Sequence, residues 1–136
     1  MTVAVEIPMA LPSAGNLHEH WRKRHQRIKA QRAATLLALR SHDSGTLGRG
    51  VITALRLRAL ADGRGWLVPL DGLTVTLTRV SPRKLDSDNL AFAFKGIRDE
   101  VAAYFGVDDA DPRIVWMYAQ AKGPACVRIA FALEAR

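Results

Sequence analysis

A single cysteine, Cys126, in 136 residues excludes an internal disulfide and a cysteine-based zinc site. It falls in a run with strand character and reads as a small core residue. No apolar run approaches the length of a membrane span. The segment from Met1 to Asn16 lacks the positive start and continuous apolar core of a signal peptide, so a cytoplasmic location is expected. Internal repeats and low-complexity tracts are absent. Acidic residues are scarce: 13 Asp and Glu against 20 Lys and Arg leave a formal net charge of +7. Such a balance favours a polyanionic partner, nucleic acid first and an acidic membrane surface second.

What remains is an ordinary core-forming composition. Apolar residues make up 49%, enough to build one core at this length but not two. The expectation is one domain over residues 1–136. Thr2 to Ile7 alternates and reads as a strand closed by Pro8. Asn16 can N-cap a helix, with Glu19 completing a capping box, and helical patterning continues from Leu17 to about Ser41. His42-Asp43-Ser44-Gly45, with Gly48 and Gly50, reads as a linker. Val51 to Leu60 is a strand candidate, followed by a turn over 61–65. Leu73 to Val80 alternates cleanly and is the clearest strand in the chain.

After Ser81-Pro82-Arg83-Lys84, Asp88 or Asn89 can cap a helix from Leu90 to about Phe105, ended by Gly106. Ile114 to Ala121 and Ala125 to Ala135 are expected to form a hairpin around Lys122-Gly123-Pro124. The resulting fold class is α/β (α+β): one domain, with a mixed, antiparallel-rich sheet flanked by two main helices.

The scarce acids are not spread evenly. Asp86, Asp88, Asp99, Glu100, Asp108, Asp109 and Asp111 are seven of the 13, packed into a short stretch. Two like charges about 4 Å apart interact by roughly 4 kcal/mol at an effective dielectric near 20. A hard divalent ion such as Mg²⁺ is the simplest neutraliser, because it takes carboxylate oxygens. On a chain otherwise rich in Lys and Arg, such a site points to chemistry on phosphodiesters.

Each acid also has a plainer role. Asp86 and Asp88 can turn the chain and cap a helix, and Asp108-Asp109 can form a turn after Gly106. Lys95 and Asp99 return to nearly the same helix face as Asp88. Asp108 and Asp109 then fall at the far end of a helix roughly 22 Å long. They meet Asp86 only if the loop folds back, or if a strand edge or a second subunit brings them there.

The order Asp86-Ser87-Asp88-Asn89-Leu90, then Lys95, Asp99 and Gly106-Val107-Asp108-Asp109, resembles the signature of the RusA-type Holliday-junction resolvases. Leu11-Pro12-Ser13-Ala14-Gly15-Asn16 and Trp21-Arg22-Lys23-Arg24 resemble the opening loop and basic segment of that family. The resemblance implies a RusA-like fold and a homodimeric, Mg²⁺-dependent endonuclease acting on branched DNA in recombination and repair. It also implies that Asp86, Asp88 and Asp109 are the catalytic and metal-binding carboxylates, with Lys95 as a catalytic lysine. Here Lys95 follows Asp88 by seven residues, where the family pattern has four. The added residues Ala91-Phe92-Ala93 make almost one helical turn, so Lys95 stays within about 60° of the expected face. Asn89, Asp99 and Asp108 are read as supporting residues.

Arg22, Lys23, Arg24, Arg27, Lys29 and Arg32 form a cationic segment with no interleaved acid, unlike a solvated face laced with i,i+4 pairs. Arg22, Lys23, Arg24, Arg27 and Lys29, with Arg83 and Lys84, are therefore read as DNA-binding residues that contact phosphates. His18, His20 and His25 offer no tetrahedral zinc set. Trp21 is read as a core anchor, with base stacking as its alternative. Two rival functions remain: a non-catalytic basic DNA-binding module, and a broader flap or fork nuclease.

Overall fold

The computed structural model describes residues 2–12, 20–45 and 73–133. The cap expected at Asn16 and the strand and turn expected over 51–65 lie outside the described residues. Among the described residues four strands, β1 (Thr2–Ile7), β2 (Leu73–Val80), β3 (Ile114–Ala121) and β4 (Cys126–Leu133), form one sheet in the order β1-β4-β2-β3. β4 runs antiparallel to both β1 and β2, while β2 and β3 are parallel. The mixed, antiparallel-rich sheet agrees with the sequence.

The expected hairpin of the last two strands does not form. β2 lies between them, pairing Val80 with Cys126 on one side and with Ala121 on the other. The chain leaving β3 passes over the end of β2, where Ser81 N–H donates to the Ala121 carbonyl at 3.0 Å and Gly123 N–H to the Ser81 carbonyl at 3.4 Å. Skipping one strand means crossing nearly 10 Å, and residues 122–125 reach about 13 Å when extended. Turn residues mark a reversal, but not which neighbour the returning strand takes.

Three helices are described: α1 (Trp21–Gly45), α2 (Ser87–Ala93) and α3 (Lys95–Phe105). The single helix expected from Leu90 to Phe105 is broken at Phe94, whose ring is fully buried. α1 continues through His42-Asp43-Ser44, the expected linker, because buried Asp43 accepts a hydrogen bond from the Tyr104 hydroxyl on α3. That tertiary bond rewards helical continuation where composition alone favours a loop. α2 and α3 form the crossover that parallel strands β2 and β3 require.

Alternation along the strands builds the core. Val3, Val5, Ile7, Leu73, Val75, Leu77, Val127, Ile129 and Phe131 are buried and cluster with Leu39, Phe94, Ile97, Val101 and Phe105 of the helices. Burying each such side chain stabilises by about 1.5–3 kcal/mol. Cys126 is buried at the start of β4, as expected, and desolvation followed by nearby Glu6 raises its thiol pKa. No described helix is long and apolar enough to cross a membrane.

Candidate functional site

The parallel strand β2 delivers the first acidic loop. Arg79, near its end, is buried, where an unpaired guanidinium is costly. Its Nε donates to the Leu11 carbonyl at 2.7 Å and its Nη1 to the Arg83 carbonyl at 2.6 Å. One side chain thus ties the segment before Pro12 to the loop leaving β2. Gln120, opposite Arg79 in the β3 register, adds a rung that continues the sheet. Its Oε1 accepts Leu85 N–H at 2.8 Å and its Nε2 donates to the Leu85 carbonyl at 2.8 Å.

Asp86 follows at once, extended at φ −64° and ψ 154°, as the N-cap of α2. The cap is therefore Asp86, not Asp88 or Asn89, because the Gln120 clamp holds Leu85 in strand-like pairing and α2 opens directly after Asp86. Its carboxylate makes no capping bond. Asp86 and Asp88 are both exposed, Asn89 is half-buried, and neither aspartate carboxylate pairs with a cation among the described residues. They sit beyond the carboxyl end of a parallel strand, where open α/β sheets bind ligands.

The second acidic loop behaves differently. α3 ends at Gly106, whose φ of 76° is left-handed and reverses the chain. Asp108 does turn work, its Oδ1 accepting Ala110 N–H at 2.8 Å. Asp109 is carried back along α3. Its carbonyl accepts the Trp116 Nε1–H at 2.8 Å and Arg98 Nη2–H at 3.0 Å. Its Oδ2 lies 3.0 Å from Arg98 Nε and 3.9 Å from Lys95 Nζ. The Arg98 Nε–H is buried without an aligned hydrogen bond, so that contact is ionic rather than directional. Lys95 Nζ also donates to Asp99 Oδ1 at 3.1 Å, the i,i+4 pairing that the spacing anticipated. The fold-back route, open in the sequence, thus takes Asp109 to the first turn of its own α3.

Sequence reasoning passed over Arg79, Arg98, Trp116, Tyr118 and Gln120. Arg98 donates to the Tyr118 hydroxyl at 2.9 Å and stacks on Trp116 at 4.8 Å from the ring centroid. One signal was readable: Arg98 is one turn beyond Lys95, on the same face. Asp111 closes the loop by binding Arg113. The Arg113 side chain, then its backbone N–H, holds the Asp111 carboxyl below the ordinary carboxylate pKa.

The basic segment lies along the first turns of α1. Trp21 is not a core anchor: it is 66% exposed, with Arg22 over its ring at 5.3 Å. It stands at the start of the described helix, ahead of the turns that pack on α3, and meets no core among the described residues. Lys23 and Lys29 are exposed, as are Arg83 and Lys84 beside Asp86. Arg32 pairs with Glu100 of α3 at 2.9 Å, so the missing acid partner is tertiary rather than local. Arg24 and Arg27 line a groove together with Lys95. The cationic side of α1 therefore opens beside the lysine that Asp99 and Asp109 hold.

Among the described residues no three His, Cys, Asp or Glu side chains are gathered to hold a metal ion, so Asp86, Asp88 and Asp109 do not form one ligand group. The pair Asp86 and Asp88 still suits Mg²⁺ by its chemistry, since that ion is usually held by one or two carboxylates, waters and substrate phosphates. No family model matches this chain, and no match was found among the curated proteins or the solved structures.

Proposed function

We propose that this chain is a Mg²⁺-dependent, structure-specific endodeoxyribonuclease that cuts Holliday junctions or other branched DNA, working as a cytoplasmic homodimer. One observation carries the reading: Lys95, paired with Asp99 and Asp109, lines the same groove as Arg24 and Arg27. A phosphate drawn to those cations would lie beside Asp99 and Asp109. The resemblance of Asp86-Ser87-Asp88-Asn89 and Val107-Asp108-Asp109 to RusA-type resolvases supports the same assignment.

In this reading Arg22, Lys23, Arg24, Arg27, Lys29, Arg83 and Lys84 hold the sugar-phosphate backbone. Asp86 and Asp88 would hold Mg²⁺, which when bound polarises a phosphate and lowers the pKa of an attacking water. Lys95 offers its ammonium to charge developing on the phosphoryl oxygens. Asp99 keeps that ammonium aimed. Asp109 sets its position from the other side. Hydrolysis leaves a 5′-phosphate and a 3′-hydroxyl. A two-fold dimer would place two such sites on two strands of a symmetric branch.

The specific rival is a non-catalytic DNA-binding module, favoured by the commitment of the Asp109 carboxylate to Arg98 and Lys95. A panel of four-way junctions, forks and flaps, incubated with and without Mg²⁺ and challenged with linear duplex, decides among these. The expected result is Mg²⁺-dependent nicking of the four-way junction that linear duplex competes poorly. Tight binding with no nicking would establish the module instead. Equal cutting of flaps and forks would establish the broader nuclease.

A further inference from the structure

We infer that the groove between α1 and the α2–α3 junction is a subsite for one unpaired nucleobase, with its flanking phosphates on the rim. The inference rests on the proposed reading in that the ligand is branched DNA. The groove encloses about 250 Å³, below the range of roughly 300–1,000 Å³ typical of drug-sized ligands, which suits a single base. Its lining is apolar at Ile28 and Gly96, with Phe92 at the edge, and Arg24, Arg27 and Lys95 stand around it. Three cations around an apolar floor reject an apolar peptide and match a flat ring carried on a polyanion.

Phe92 is the telling residue. It is 53% exposed, while its neighbours Ala93 and Phe94 are buried. A phenyl ring left in water at the edge of a cationic groove is a stacking platform for a base. Gly96 keeps the floor closed, since a Cβ there would stand 3.1 Å from Ile28 Cγ2. The same stripe of α1 continues to Trp21, seven residues and therefore about two turns before Ile28. That exposed indole, with Arg22 over it, gives the track a second aromatic platform. Paired bases are stacked on both faces and cannot reach Phe92. The chemistry therefore selects bases freed at a branch point or gap.

The test measures binding without cleavage, in EDTA and at fixed salt. The probes are a duplex carrying one unpaired 2-aminopurine and a fully paired duplex of equal length. Wild-type protein is expected to bind the first about tenfold more tightly and to change the probe's fluorescence. Phe92→Ala should lose that preference with duplex affinity unchanged, and Phe92→Trp should keep it. A thermal melt of each variant shows that it is folded. Equal wild-type affinity for the two DNAs, or a preference that survives Phe92→Ala, overturns the subsite. So does a loss of affinity that is equal for both probes. A Phe92-dependent preference in a protein that never cuts DNA overturns the nuclease reading and leaves the subsite standing. Cutting of branched DNA with no such preference does the reverse.

Discussion

Asp86 and Asp88 leave β2 with their backbone clamped and their carboxylates exposed, whereas Asp108, Asp109 and Asp111 leave α3 with every carboxylate engaged. Both loops are acidic in sequence, with two aspartates in the first and three in the second. The difference lies in what supplies their rigidity. Arg79 and Gln120 hold the first loop through the carbonyls of Leu11, Arg83 and Leu85 and the Leu85 N–H, so the aspartates are not needed for structure. In the second loop the aspartate side chains are themselves the fasteners. Acids spared from structural work are the ones that can meet an outside cation.

The sharpest way to break this comparison is to neutralise one acid from each loop. Asp88→Asn is expected to lower Mg²⁺-dependent cleavage by at least about 100-fold, with stability unchanged within about 0.5 kcal/mol. Asp109→Asn should lose comparable activity and also about 1–2 kcal/mol of stability, because Arg98 keeps its charge without a counter-ion. Cleavage rates and urea denaturation on both variants separate the two cases, and similar stability losses would erase the distinction. Mixing the two variants should restore nothing, since Asp109 folds back onto Lys95 of its own chain.

A smaller effect sharpens the role of the clamp. Gln120→Leu removes both hydrogen bonds to Leu85 and should cost about 1–2 kcal/mol, seen as a lower denaturation midpoint. Cleavage should fall with it, because Asp86 loses its fixed starting point. A variant as stable as wild type would mean that Arg79 alone holds the loop.

The smallest effect is a pH dependence in the second loop. Arg113 lowers the Asp111 pKa, so this pair stabilises the fold above the ordinary carboxylate value of 3.8. That contribution, less than about 1 kcal/mol for a partly exposed pair, disappears as pH falls through the lowered folded value. Asp111→Asn should therefore be less stable than wild type near neutrality and should converge with it in strong acid. Parallel denaturation curves at both extremes would show that the pair contributes nothing.

Much of this was legible in the chain. Strict alternation over Leu73–Val80 and Thr2–Ile7 marked two strands, because a period of two admits one buried face and no other regular structure. Gly106 marked the reversal after α3, since a left-handed residue is cheapest as glycine. The spacing of Lys95 and Asp99 gave their pairing, a contact set by one turn of helix. The Asp43–Tyr104 bond that prolongs α1 was not legible, because its partners are far apart in the chain.

The sequence by itself determined the four described strands and most of the helical stretches, the concentration of acid in a basic chain, and the contacts made within a helical turn. These depend on neighbours at fixed spacing, which the order of residues states directly. Only the tertiary structure decided that β2 separates β3 from β4, that Arg79 and Gln120 brace the Asp86 loop, and that Asp109 returns to Lys95 and Arg98. Those outcomes depend on which distant groups are brought within hydrogen-bonding reach once the core is buried, and a linear pattern carries no such distances.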